Sequence, residues 1–236
     1  MFLRRSTLEP NDSQAVLERE QLTLANVQID SWLLQTEPAT FERVLRMVVA
    51  KYAWRRPEAL ELSSSECGRI YLRDDVLGRP LYLSAACSAS ACAVIISREP
   101  RIGIQIVSPQ EADALIPEIE GTICAQERDL LASLTPPARR RALLSMWTRK
   151  RALQQANAVT SLAPLQSIAV GLGELALELP DSFGWLDRWR VYGFSMRSGE
   201  LGSIAVYSHD QFLGLGAGDR RANVKKGTFA GNERRH

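Results

Sequence analysis

The segment from Arg101 through Glu111 limits the fold most, because the side-chain period changes there within a few residues. Alternation along Ile102 to Val107 puts Ile102, Ile104 and Ile106 on one face of an extended strand and Gly103, Gln105 and Val107 on the other. Ser108-Pro109-Gln110-Glu111 then reads as a capping box with Pro at the first helical position, opening a helix over Ala112 to about Ile116. The surroundings follow the same logic. Leu81 to Ser84 and Ala91 to Ser97 read as short strands before it. A second helix covers Gln126 to Leu134, and a third follows Thr135-Pro136-Pro137 to about Asn157 with Leu143, Met146, Trp147 and Leu153 as its buried stripe. Upstream, Phe41, Val44, Leu45, Val48, Val49 and Tyr52 recur at helical spacing from Pro38 on. After Pro164 the pattern returns to strands, over Ile168 to Leu172, Glu174 to Leu179, Trp185 to Met196 and Ser203 to Ser208. Helix and strands, then helices, then strands is an α+β order and not a βαβ repeat.

With 236 residues, 45% hydrophobic and 24% charged, the chain is long and apolar enough for a real core, which sets aside disorder, collagen and coiled coil as whole-chain descriptions. Its two histidines are His209 and His236, so a Ser-His-Asp triad or a multi-His zinc site would rest on His209 alone. Cys67, Cys87, Cys92 and Cys124 form no C-x-x-C and read as free, buried thiols in a reducing cytosol. Met1 to Asn11 lacks the apolar run of a signal peptide, and no stretch approaches a membrane span of about 20 apolar residues. The expectation is a soluble cytoplasmic protein. Residues 1–20 read as a loose N-terminal segment, 21–100 and 101–213 as two halves of one fold, and 214–236 as a basic disordered tail.

Charge adds little to this. The 29 Lys+Arg nearly balance 27 Asp+Glu, and six of the basic residues against two acids fall in Asp219–His236, so the folded body has no bias toward nucleic acid. Arg139-Arg140-Arg141 and Arg149-Lys150-Arg151 read as a solvated helix face, and Trp147 as core. Gly214-Leu215-Gly216-Ala217-Gly218 lacks a Walker lysine and a following helix and reads as tail.

The order of five short segments brings a family into view. Gly78-Arg79-Pro80, Leu81-Tyr82-Leu83-Ser84-Ala85-Ala86, Ile102 to Val107, Ile123-Cys124-Ala125-Gln126-Glu127 and Trp147-Thr148-Arg149-Lys150-Arg151-Ala152 resemble, in order and spacing, motifs of the surfactin-type 4'-phosphopantetheinyl transferases. Those motifs are G-K-P, F-N-x-S-H-S, G-[VI]-D-[IV]-E, F-[ST]-x-x-E and W-x-x-K-E-[AS]-x-x-K. The resemblance covers roughly residues 30–208, and Leu162-Ala163-Pro164-Leu165 looks like the family's L-x-P-L. It implies a pseudo-twofold, two-half α+β fold that holds coenzyme A and Mg²⁺ between its halves. Family members move the phosphopantetheine arm of CoA to a carrier-protein serine. Such chemistry needs carboxylates for a hard cation, a base for the hydroxyl and cations for phosphate.

The matching positions lack that equipment. The family's metal-binding Asp and Glu fall on Gln105 and Val107, the third acid on Arg151, and the transfer lysine on Gln155. The His and second Ser of the CoA-binding motif fall on Ala85 and Ala86, and residues 21–42 contain no Lys or Arg for the 3'-phosphate. Arg79, Ser84, Lys150 and Arg151 remain as ligand-binding candidates, Arg151 through direct contact with an anion in the old metal position. Glu111, Asp113, Glu118 and Glu120 are possible substitute acids; we read Glu111 as the capping box and the others as solvent-facing. Glu127 matches the family's later Glu and reads as structural. No catalytic residue, metal or cofactor is expected. The reading is a degenerate transferase homologue, expected not to be an enzyme, that binds a carrier protein or synthase subunit in fatty-acid, polyketide or nonribosomal-peptide biosynthesis. Nucleic acid and membrane are not expected partners, and the chain is expected as a monomer or in a hetero-complex. The alternative is an active transferase with a displaced metal site.

Overall fold

A computed structural model describes residues 17–24, 27–35, 38–64, 69–72, 81–157, 165–172, 176–179, 183–184 and 186–208. Arg79, Cys67, His209, the turn at Asp74 to Pro80, residues 1–16 and the tail 214–236 lie outside the described residues. In chain order the elements are β1 (Leu17–Leu24), β2 (Val27–Leu34), α1 (Pro38–Ala53), β3 (Leu62–Ser64), β4 (Arg69–Leu72), β5 (Tyr82–Cys87), β6 (Cys92–Ser97) and β7 (Ile102–Val107). Then come α2 (Ala112–Gly121), α3 (Ala125–Ala132), α4 (Pro136–Ala156), β8 (Ala169–Val170), β9 (Ala176–Glu178), β10 (Trp189–Ser195) and β11 (Leu201–Tyr207). Helices and sheets are both extensive, as an α+β chain requires.

The strands form a six-stranded sheet in the order β1-β2-β6-β5-β4-β3, a three-stranded sheet β10-β11-β7 and the pair β8-β9, all antiparallel. Side-chain alternation divides the apolar residues among three clusters. Trp32, Leu34, Leu83, Val94 and Ile96 pack with Val44, Leu45, Val48 and Val49 of α1. The opposite face of the same sheet, through Ile29, Ala93 and Ile95, meets Ile102, Ile104 and Ile106 of β7 and Ile204 and Val206 of β11. Val107, Ala205, Tyr207, Trp189 and Val191 turn the other way and pack with Leu143, Met146, Trp147, Ala152, Leu153 and Ala156 of α4. The split expected along β7 is therefore the split observed.

Four expectations need correction. Residues 17–20 are not loose but lie in β1, paired with β2 from Leu17↔Leu34 onward. The helix after Glu111 does not stop at Ile116; it continues to Gly121 with Pro117 inside, because one missing N–H removes a single bond while buried Ile119 anchors the last turn. The cationic stretch of α4 is not a solvated face throughout, since Arg149 and Lys150 are buried. Cys87 and Cys92 are not free thiols. They are directly opposite partners in the β5–β6 register and are joined by a disulfide, while Cys124 is free. Five residues of separation gave no hint of that register, and the argument for a reducing compartment loses these two cysteines. No helix among the described residues is long and apolar enough to cross a membrane.

Candidate functional site

β7 and α4 carry all four positions at which the resemblance places metal and transfer chemistry, and the two elements are in direct contact. Gly103 makes this possible. A Cβ there would lie 2.0 Å from the Ala152 carbonyl oxygen and 2.7 Å from the Ala156 nitrogen, so only hydrogen allows the helix backbone this close to the strand. The register adds a second tie, because Ser203 opposite Gln105 shares a 2.8 Å hydroxyl–hydroxyl bond with Thr148 of α4.

At the transfer-lysine position, Gln155 works as a three-way connector. Its Oε1 accepts from the Ser84 hydroxyl at 2.6 Å and from the Ile104 N–H at 2.8 Å, and its Nε2 donates to the Ala85 carbonyl at 3.0 Å. Ser84 Oγ also accepts from the Ile104 N–H at 3.0 Å. A side-chain amide, with an acceptor at one end and a donor at the other, suits these partners; an ammonium offers no acceptor. Ser84, expected as a ligand-binding candidate, is fully buried in this network, where it joins β5 to β7 and α4.

The positions that the resemblance assigns to a metal do not fit a divalent cation. Gln105 turns its Nε2 to the carbonyl of Ile106 at 2.9 Å, Val107 is core, and Arg151 is exposed with Nη1 donating to Gln154 Oε1 at 2.7 Å. Hard cations take several oxygen ligands, and an arginine beside them repels the ion. Three of the four substitute acids have their own partners. Glu111 and Ser108 form the reciprocal bonds of the capping box, although the regular helix begins at Ala112. Asp113 pairs with Arg140 at 2.8 Å and Glu120 with Arg139 at 3.9 Å, and Glu118 is exposed. Among the described residues no group of three His, Cys, Asp or Glu is placed to hold a metal.

Lys150, the next ligand-binding candidate, is also placed inside the fold. It is fully buried, 2.6 Å from Glu127 Oε2, and donates to the carbonyls of Thr122 at 2.6 Å and Leu165 at 3.2 Å. Three ammonium hydrogens meet three acceptors, and none is left for a phosphate. Glu127 in turn accepts from the N–H of Cys124 and of Val170. The pair therefore ties α4 to the start of α3, to β8 and to the chain around Leu165, which is the structural part read for Glu127. Among the ligand-binding candidates in the described residues, Arg151 alone faces solvent.

Two features had no sequence signal. A shallow cleft of about 330 Å³ opens at the start of α3, lined among others by Cys124, Gln126, Gln166 and Leu179. On the other half, Arg19 bonds Asp30 at 2.9 Å and lies over the rings of Trp32 and Tyr52, and the Trp32 Nε1–H donates to the Tyr52 hydroxyl at 2.8 Å. Burial, with help from a hydrogen bond to Asp30, pushes the Tyr52 phenol well above its usual range, so the group stays neutral and structural. Compared with known proteins, the chain matches no family model and no curated sequence.

Proposed function

We propose that the chain is a catalytically silent homologue of the phosphopantetheinyl transferases that works by binding, its partner being a carrier protein or a synthase subunit that acts with one. The observation that carries this reading is Gln155. The residue at the transfer-lysine position has both ends of its amide engaged inside the fold, with Ser84, Ile104 and Ala85 as partners. Gln105, Val107 and Arg151 support it, because none supplies the carboxylate that a pyrophosphate-bound cation requires. Two main sheets with one long helix packed on each support the two-half, pseudo-twofold arrangement. A cytoplasmic location belongs to the same reading, and there the Cys87–Cys92 bond would be open to reduction.

The test is a mass measurement. Incubated with CoA, Mg²⁺ and an apo carrier protein, the chain leaves the carrier mass unchanged, and it is recovered in a complex with the carrier or a synthase subunit. A carrier heavier by one phosphopantetheine arm would instead establish an active transferase with a displaced metal site.

A further inference from the structure

The last turn of α1 presents a residue that neither packing nor local geometry favours. Trp54 is 88% exposed and has φ 54°, the left-handed conformation that a bulky L-residue seldom adopts. The Arg55 N–H bonds back to the Ala50 carbonyl at 3.3 Å, so Trp54 occupies the position after the helix where glycine is the usual residue. A single exposed apolar side chain needs no explanation, but a tryptophan held outward at a glycine position does. The chain next to it is basic: Lys51, Arg55 and Arg56 are exposed within three residues of it, with Lys51 Nζ lying over the Trp32 ring, and the exposed acids Glu58 and Glu61 come only after Pro57.

We propose that Trp54 is the anchor of a protein-docking surface whose partner presents an apolar recess ringed by acidic side chains. This rests on the binding reading above and adds which surface docks and what charge the partner carries. Tryptophan and arginine are the side chains most often found at the energetic centre of protein interfaces, and adjacent exposed cations steer an acidic partner. A single-stranded nucleic acid would want a track of stacking aromatics, and among the described residues the other large exposed apolar side chains are Leu130, Leu172 and Leu186, none of them aromatic. A lipid surface would want an apolar helix face, whereas α1 exposes Glu42, Arg43 and Lys51.

The test titrates the full chain with a purified, acidic apo carrier protein at several salt concentrations. Trp54→Gly relieves the backbone conformation, so it melts at or above the wild-type temperature while binding at least tenfold more weakly. Arg55→Glu/Arg56→Glu weakens binding and flattens its salt dependence. If the wild type binds and Trp54→Gly binds equally well, the docking surface is wrong and the binding reading survives. If the wild type binds neither carrier nor synthase subunit, both fall. Trp54-dependent binding to phosphatidylserine vesicles or to a single-stranded oligonucleotide, without carrier binding, would overturn the assignment to a protein partner.

Discussion

Gln155 and Lys150 lie five residues apart on one helix and are held inside the fold in two ways, one by neutral hydrogen bonds and one by a buried ion pair. Gln155 has two donors converging on its oxygen, so Gln155→Lys takes away the acceptor of both the Ser84 hydroxyl and the Ile104 N–H. Each buried group left without a partner costs roughly 1–3 kcal/mol, and Ser84 can relieve part of this by keeping its bond to Ile104. The lysine variant should therefore be less stable in urea by an amount of that order and should still transfer nothing to a carrier protein; recovered transfer would show the active centre intact. For Lys150 the issue is charge. Lys150→Met leaves the Glu127 carboxylate buried without its cation, a change worth about 3–5 kcal/mol, whereas Lys150→Met/Glu127→Gln removes both charges together. The double variant should lose less stability than the sum of the two singles, as a four-point denaturation cycle would measure, and simple additivity would contradict the coupling. The motif W-x-x-K was readable in the sequence, but the role of its lysine was not. Its acceptors sit on Thr122 and Leu165, 28 and 15 residues away, and a residue's identity does not name a distant carbonyl.

Elements were legible where one face met a core and the other met water, as in α1, whose apolar spacing gave its extent to within a residue. β1 and β2 were missed for the opposite reason. Along β2, Trp32 and Leu34 face the α1 cluster while Ile29, Val27 and Leu33 face the cluster shared with the second sheet, so no apolar and polar alternation survives. β1, at the sheet edge, carries Arg19, Glu20 and Gln21, which suit an edge strand and look like a loose segment. β7 escaped this ambiguity because isoleucine repeats on one face only. Its other face depends on Gly103, and the consequence is a sharp prediction at this scale. Gly103→Ala places a methyl group against backbone atoms of α4 that no rotamer change can move, so helix and strand must separate. Overpacking of this kind costs typically 1–3 kcal/mol and often more against backbone, and it should lower the urea midpoint without altering secondary structure in circular dichroism. An unchanged midpoint would mean that α4 does not lie on β7 as described.

At the scale of the whole molecule, the two larger sheets are held together at three places among the described residues. The shared apolar cluster is one, the Ser84–Gln155–Ile104 network is the second, and the third joins two hairpin turns. Ser90, in the turn between the disulfide-linked β5 and β6, donates to Glu200 Oε1 at 2.7 Å, and Ser198, in the turn between β10 and β11, donates to Oε2. Burial alone would push the Glu200 carboxyl up. The hydroxyls of Ser198 and Ser90 and its own backbone N–H outweigh burial, and the group sits below the ordinary carboxylate range. A carboxyl that binds its proton more weakly folded than unfolded adds stability that is complete above its unfolded value of about 4.3 and disappears as pH falls through the lower folded value. Glu200→Gln removes the titration while keeping one acceptor. The difference in melting temperature between wild type and Glu200→Gln should thus be constant from about pH 6 to 8 and should shrink steadily as the solution is taken below about pH 4. A difference that stayed constant down to pH 2.5, or that grew on acidification, would show that the carboxylate does not clasp the two turns.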